Sequence, residues 1–142
     1  MDPEIWGPHG WYFLHSITLA YPDNPTDDDK TYHKNFFESL KNILPCEKCR
    51  NHYIQNLNTY PIDNHLENKE SLFKWLVDVH NRVNIDNGKR EYSYDEVTKL
   101  YENMYSKKEN GYFISNTTLI VIFIILVIVI FIYKFKYFIY YK

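Results

Sequence analysis

Cysteine is nearly absent from this sequence. The 142 residues contain two, at positions 46 and 49, in the stretch "PCEKC". That excludes a fold held together by a framework of disulfides, which needs several pairs. Glycine is scarce as well, with four in the chain. No run of alternating polar and apolar residues stands out, so a β-rich fold is not expected. There is no internal repeat. Excess positive charge is also lacking where a nucleic-acid partner would need it. Residues 1–116 hold 13 basic residues against all 18 acidic ones, a net of −5, and a mildly acidic domain is poorly suited to phosphate backbones. The start, "MDPEIWGPHG", has neither a basic nor an apolar stretch, so no secretory signal is expected there.

Charge is missing altogether from Asn110 to Tyr133, and Leu119 to Tyr133 is unbroken apolar and aromatic sequence. With Ile114 to Thr118 included, the stretch reaches the roughly 20 residues that a bilayer-spanning helix requires. A core helix of a domain this small would not be apolar on every face. Residues 114–133 are therefore expected to form a single-pass transmembrane helix, with 106–113 as a linker and 134–142 as a short basic aromatic tail. Lys99, Lys107 and Lys108 precede the span, and Lys134, Lys136 and Lys142 follow it. Three against three gives no orientation by the positive-inside rule. Asn116-Thr117-Thr118 matches a glycosylation pattern but abuts the span and is read as unused.

What is present before the span reads as helices. The first is expected over about Pro8–Ala20, with Trp11, Leu14, His15 and Thr18 on one face. Thr26 and Asp29 form a capping pair for a second, which carries Phe36, Phe37, Leu40 and Leu44. Pro45 is expected to open a third helix, running to about Asn58 with both cysteines in it. A polar loop follows. The fourth covers about Ser71–Ile85, with Leu72, Trp75, Leu76, Val79, His80 and Val83 in register, and Gly88 marks the turn that ends it. Ser93 and Glu96 form the capping box of a fifth, to about Tyr105.

Three chemistries are open to the cysteine pair. A disulfide closing so short a ring is a poor structural staple. Zinc needs four ligands. His52 and His65 could complete a set with the cysteines, but no second paired motif exists. Haem attachment needs His directly after the second cysteine, where Arg50 stands. Redox use fits best. A cysteine in the first turn of a helix is biased toward thiolate by the helix dipole, and Lys48 and Arg50 add positive charge nearby. The helical flanks argue against thioredoxin, whose motif follows a strand.

Four segments, in order, resemble the FAD-linked sulfhydryl oxidases of the Erv/ALR type: "WGPHGWYFLHSIT", "YPDNPT", "LPCEKCRNHY" and "WLVDVHNRVNIDNGKREY". The resemblance covers about residues 4–95. It implies an all-α fold, a four-helix bundle with a short fifth helix that binds FAD, in a domain spanning 1–105. It implies oxidation of protein dithiols to disulfides, with electrons passing through FAD to oxygen to give hydrogen peroxide. It makes Cys46 the outer cysteine attacked by substrate and Cys49 the inner one facing the flavin. It assigns Trp11, His15, Tyr53, His80, Asn81, Val83, Asn84, Lys89 and Tyr92 to cofactor binding, and no residue to a metal. His80 and Asn84 serve adenine and ribose in this scheme, and Lys89 the pyrophosphate.

The sequence departs from the family in lacking the second, relaying cysteine pair of many members. Pro8 and His9 also stand where some members place an arginine. The implied partners are a protein dithiol substrate, a thioredoxin-like or small CxxC relay protein, oxygen, a membrane, and a second copy of the chain in a homodimer. Compact members of this kind resemble those of large DNA viruses, so a host or virion membrane is the expected location. The alternatives are a membrane-anchored zinc adaptor and a scaffold that has lost catalysis.

Overall fold

Asp2 starts the first helix earlier than the spacing of apolar residues suggested. Its carboxylate accepts from the Glu4 backbone N–H, and Pro3 occupies the first helical position, where its missing donor costs nothing. In this computed structural model, which describes residues 1–109 and 116–140, α1 therefore spans Pro3–Leu19. Pro8 lies inside it. The bond it forfeits is the one to the Glu4 carbonyl, at the exposed end of the helix where water can replace it.

The remaining helices are α2 (Asp27–Ile43), α3 (Glu47–Thr59), α4 (Lys69–Asp86), α5 (Tyr94–Glu109) and α6 (Asn116–Tyr140), with one 3₁₀ turn at Ile62–His65. Among the described residues there is no strand. The fold is all-α. The Thr26–Asp29 capping box is present on α2, and the Ser93–Glu96 box is present ahead of α5. Pro45 does not open α3. Cys46 is its N-cap in extended conformation, and its sulfur takes the Cys49 N–H at 3.2 Å, so the first helical residue is Glu47. The expected polar loop after α3 contains the 3₁₀ turn, which buries Ile62 and leads to buried Leu66. So short a turn leaves no periodic signal in sequence.

The chain divides into two units, Met1–Leu100 and Tyr101–Lys142. In the first, α4 is the central element. It packs against α1, α3 and the 3₁₀ turn, while α2 packs on α3. Trp75, Leu72, Leu76 and Val79 of α4 meet Leu14, Tyr21, Phe37, Leu40, Tyr53, Ile62 and Leu66 in one buried cluster. Its polar handles are all engaged. Trp75 Nε1 donates to the Tyr60 carbonyl at 2.8 Å, Tyr21 to Leu66 at 2.9 Å and Tyr53 to Phe37 at 3.0 Å. A buried hydroxyl or indole left unpaired would offset much of what its ring contributes.

In the second unit, α5 ends at Glu109 rather than near Tyr105. Helix α6 begins at Asn116 and continues past Tyr133 to Tyr140. Within it, Thr117–Tyr137 is a 21-residue stretch long and apolar enough to cross a membrane, roughly 30 Å at 1.5 Å per residue. Residues 110–113 of the expected linker, 114–115 of the expected span and 141–142 of the expected tail lie outside the described residues.

Leu76 is fully buried, so Leu76→Ala should lower the unfolding free energy of the full chain in detergent by ~3 kcal/mol. Thr26→Ala, which removes only a helix cap, should cost ~1 kcal/mol. Urea unfolding distinguishes the two, and equal losses would contradict the central role of α4.

Candidate functional site

Two helices bring the first group of residues together. Trp11 and His15 lie one turn apart on α1, and His80 faces them from α4. The Trp11 and His80 rings stack, with centroids 3.9 Å apart and planes 9° from parallel. His15 Nε2 lies 3.3 Å from His80 Nδ1, so one imidazole donates and the other accepts. Phe73 meets the His15 ring edge-on at 5.8 Å. His15 is 1% exposed.

Burial sets the electrostatics. It drives the His15 pKa down to about 3, with His80 adding to the effect. His80 is lowered to about 4, first by burial and then by the positive charge of Lys89. Both rings are therefore neutral at pH 7, which makes this corner a flat, uncharged aromatic surface.

The end of α4 extends that surface. Val83 is half-buried and Asn84 buried, one turn on from His80. Asn84 also closes the helix, because its carbonyl accepts from the Asn87 and Lys89 N–H groups. Gly88 makes this possible at φ 67°, the left-handed region that a residue with a Cβ adopts only with strain. The chain then doubles back, so that Lys89, itself exposed, acts on His80. Asn81 and Tyr92 are tied to each other. The Asn81 carboxamide donates to the Tyr92 carbonyl at 2.8 Å and accepts its N–H at 2.9 Å. The Arg90 guanidinium lies 3.9 Å over the Tyr92 ring.

The second group is on α3. Cys46 and Cys49 form a disulfide, with Cα atoms 5.1 Å apart, and both residues are half-buried. Cys49 occupies the first turn, where the aligned backbone dipoles favour negative charge. Arg50 braces this end of the helix. Its backbone N–H donates to Cys46 and its guanidinium to the Leu44 carbonyl, on either side of Pro45. Tyr53 follows one turn after Cys49. It is 4% exposed and belongs to the central cluster, its hydroxyl held by Phe37 and its pKa raised by burial first and by Glu38 second. The two groups are connected through α3, which packs on α4.

Two residues at this end of the molecule were not singled out by sequence. For Arg50 the sequence offers only nearby charge, and its brace to Leu44, six residues back, has no sequence signature. Trp6 lies over Gly10, within 3.4 Å of where a Cβ would be, and its Nε1 is buried without a hydrogen-bond partner. Its place in the opening "WG" was the available hint. His52 and His65 do not complete a metal site. Among the described residues no three His, Cys, Asp or Glu side chains converge.

The Erv1 / Alr family model matches residues 8–103. Over 114 residues the chain is 44% identical to a probable FAD-linked sulfhydryl oxidase of Acanthamoeba polyphaga mimivirus, covering 79% of this chain and 80% of that protein. It is 34% identical over 85 residues to the mitochondrial FAD-linked sulfhydryl oxidase of Saccharomyces cerevisiae, covering 58% of this chain and 43% of that longer protein. The crystal structure of the FAD-binding domain of that yeast protein superposes with a TM-score of 0.62 at 31% identity. It covers 66% of this chain and 87% of the yeast domain.

The buried histidines set a dependence on pH. A folded-state pKa below the unfolded value near 6.5 means that unfolding takes up a proton below that pH. Stability should thus fall as pH drops from about 6.5 toward 4. Between pH 7 and pH 5 the cofactor-free chain should lose on the order of 2 kcal/mol through His15, at about 1.4 kcal/mol per pH unit. His15→Leu should remove this contribution and leave that of His80, a shallower slope in urea titrations. The exposed carboxylates with lowered pKa, Asp29, Glu67 and Glu96, act only at lower pH.

Proposed function

The chain belongs to the Erv1 / Alr family and is an FAD-linked thiol oxidase, and we propose that Cys46 and Cys49 are its redox pair and the Trp11–His80 corner its cofactor site. The observation that carries this reading is the Cys46–Cys49 disulfide capping a helix that packs on the helix bearing His80. The residues present fit FAD. A neutral, stacked Trp–His surface suits flat rings, a lysine held beside it suits phosphates, and the buried, unsatisfied Trp6 Nε1 is a donor that a bound polar group can engage. When bound, FAD accepts the electrons of the reduced cysteine pair and delivers them to oxygen, giving hydrogen peroxide.

The protein's own part is thiol–disulfide exchange. A substrate thiolate attacks Cys46 Sγ, the Cys46–Cys49 bond breaks, and the electron pair leaves with Cys49 as thiolate. Cys49 lies in the first turn of α3, which favours that charge, while its N–H, aimed at the Cys46 sulfur at 3.2 Å, favours the thiolate released there in the next step. The second substrate thiolate then attacks the substrate's own sulfur in the mixed disulfide and releases Cys46 as thiolate. The substrate leaves oxidised, its two protons pass to solvent, and the pair holds the two electrons. His80, Val83 and Asn84 would hold the cofactor on α4, with Trp11 and His15 on the facing helix. Lys89 and Tyr92 would serve its phosphates, and Tyr53 follows one turn after Cys49.

This reading extends to partners. With two cysteines in the sequence, both in one disulfide, the dithiol arrives on another protein, either the final substrate or a small relay protein. Residues 1–105 are the oxidase domain, and α6 is a single-pass anchor that confines it to a membrane surface, of the host or of a virion. Ile5 and Phe13 on α1 leave 73% and 58% of their surface exposed, apolar area that a second copy would cover in a homodimer.

The first test is the visible spectrum of the purified full chain in detergent. A flavin band that bleaches with dithiothreitol in the absence of oxygen and returns on aeration is the expected result. A colourless folded protein would overturn the reading. Cys49→Ser should abolish dithiol-driven oxygen uptake while the band persists. Trp11→Ala should weaken FAD binding by on the order of 1–3 kcal/mol, the range measured for loss of an aromatic stacking face, as read by flavin fluorescence titration.

A further inference from the structure

Asn81 follows His80 directly, but the structure gives its side chain a different task. The carboxamide satisfies both backbone groups of one distant residue, donating to the Tyr92 carbonyl and accepting the Tyr92 N–H. A side-chain amide used this way acts as a neighbouring strand would, and it holds a segment that has no helix or sheet of its own. That segment is short. Its near end is fastened where Lys89 N–H donates to the Asn84 carbonyl at 2.8 Å, just after the Gly88 turn. Its far end is Tyr92. Only Arg90 and Glu91 lie between the two fastenings, and Arg90 is itself held by the Tyr92 ring and by Glu96 at 2.9 Å. Residues 89–92 thus form a strap laid back along α4.

We propose that Asn81 is a positioning residue for the cofactor: its carboxamide clamps the Lys89–Tyr92 strap to α4, so that the Lys89 ammonium stands beside the Trp11–His80 surface where phosphates would lie. This rests on the FAD reading above, and it replaces the direct cofactor contact that the sequence motif suggested for Asn81. The lowering of the His80 pKa by Lys89 is consistent with an ammonium held on that side. A lysine has four rotatable bonds, and a backbone fixed at two points limits how much more order binding must impose. Were the strap free, Lys89 would still be present in sequence but not at one place.

The test is a double-mutant cycle on the cofactor-stripped full chain in detergent, with FAD Kd as the readout. Asn81→Ala and Lys89→Ala should each weaken FAD binding about tenfold. The double variant should bind no more weakly than Lys89→Ala alone, because Asn81 acts through the lysine. Amide exchange at Tyr92 in the cofactor-free protein should accelerate in Asn81→Ala and stay slow in Lys89→Ala. Losses that multiply to about a hundredfold in the double variant would overturn the proposal and make Asn81 an independent contact. Unchanged Tyr92 exchange in Asn81→Ala would overturn the clamp. If Asn81→Ala does not fold, Asn81→Ser, whose single hydroxyl cannot bridge both Tyr92 groups, takes its place in the same cycle. A chain that binds no FAD in any form would defeat the oxidase reading and the positioning role together. Tyr92 exchange would still report on the clamp, so the two failures are separable.

Discussion

The packing of α4 into the middle of the first unit is the constraint on which the site depends. Trp75, Leu72, Leu76 and Val79 are fully buried, and together they fix the rotation of the helix about its own axis. Residues one turn beyond them cannot then choose their direction. His80 is delivered to Trp11 and His15, and Val83 and Asn84 continue along the same helix. The hydrogen bond from the Trp75 indole to Tyr60 adds a directional restraint that apolar contact alone lacks. A slip of one residue in this helix would turn His80 away from α1 while leaving composition and length untouched.

Burial also decides the chemistry of the two histidines. In water each would carry appreciable charge in mildly acidic solution. Removed from water and set 3.3 Å apart, they hold their neutral forms, since two charged imidazoles at that distance would repel without solvent to screen them. The result is a flat, uncharged surface, with a nearby cation supplied from a different segment by Lys89. The aromatic surface and the lysine are thereby built on different elements. One is on helices, and the other on a strap whose shape depends on a positive φ at Gly88.

The cysteines occupy a comparable boundary between ordered elements. Cys46 lies outside α3 in extended conformation and Cys49 lies within its first turn. The disulfide therefore joins the approach to the helix with the helix itself. The Arg50 guanidinium on the Leu44 carbonyl ties the approach to the same helix end. Both sulfurs therefore lie at the positive end of a helix, Cys46 as the group that accepts the Cys49 N–H, a setting that favours thiolate over thiol.

Much of this was legible in sequence, because it depends on local rules. The helices of the first unit follow from the 3.6-residue period of their apolar positions. The caps at Thr26 and Ser93 follow from the reach of one side chain to one backbone group, and the apolar stretch of α6 from its length and lack of charge. The pairing of Trp11 with His15, and of Cys46 with Cys49, is set by spacing along one segment. What sequence could not supply is whatever joins segments far apart in the chain. The stack of Trp11 on His80, the 65-residue separation of the two bonded histidines, the Asn81 grip on Tyr92 and the burial of Ile62 in a 3₁₀ turn all arise from packing. Pro45 shows the same limit at short range. Its preference for a first helical position is real but weak, and the cap made by the Cys46 sulfur moved the helix start to Glu47. The sequence by itself determined the elements and the kinds of side chain available. The tertiary structure decided which of them met, and how far they were removed from water, because contact and desolvation are properties of the assembled core.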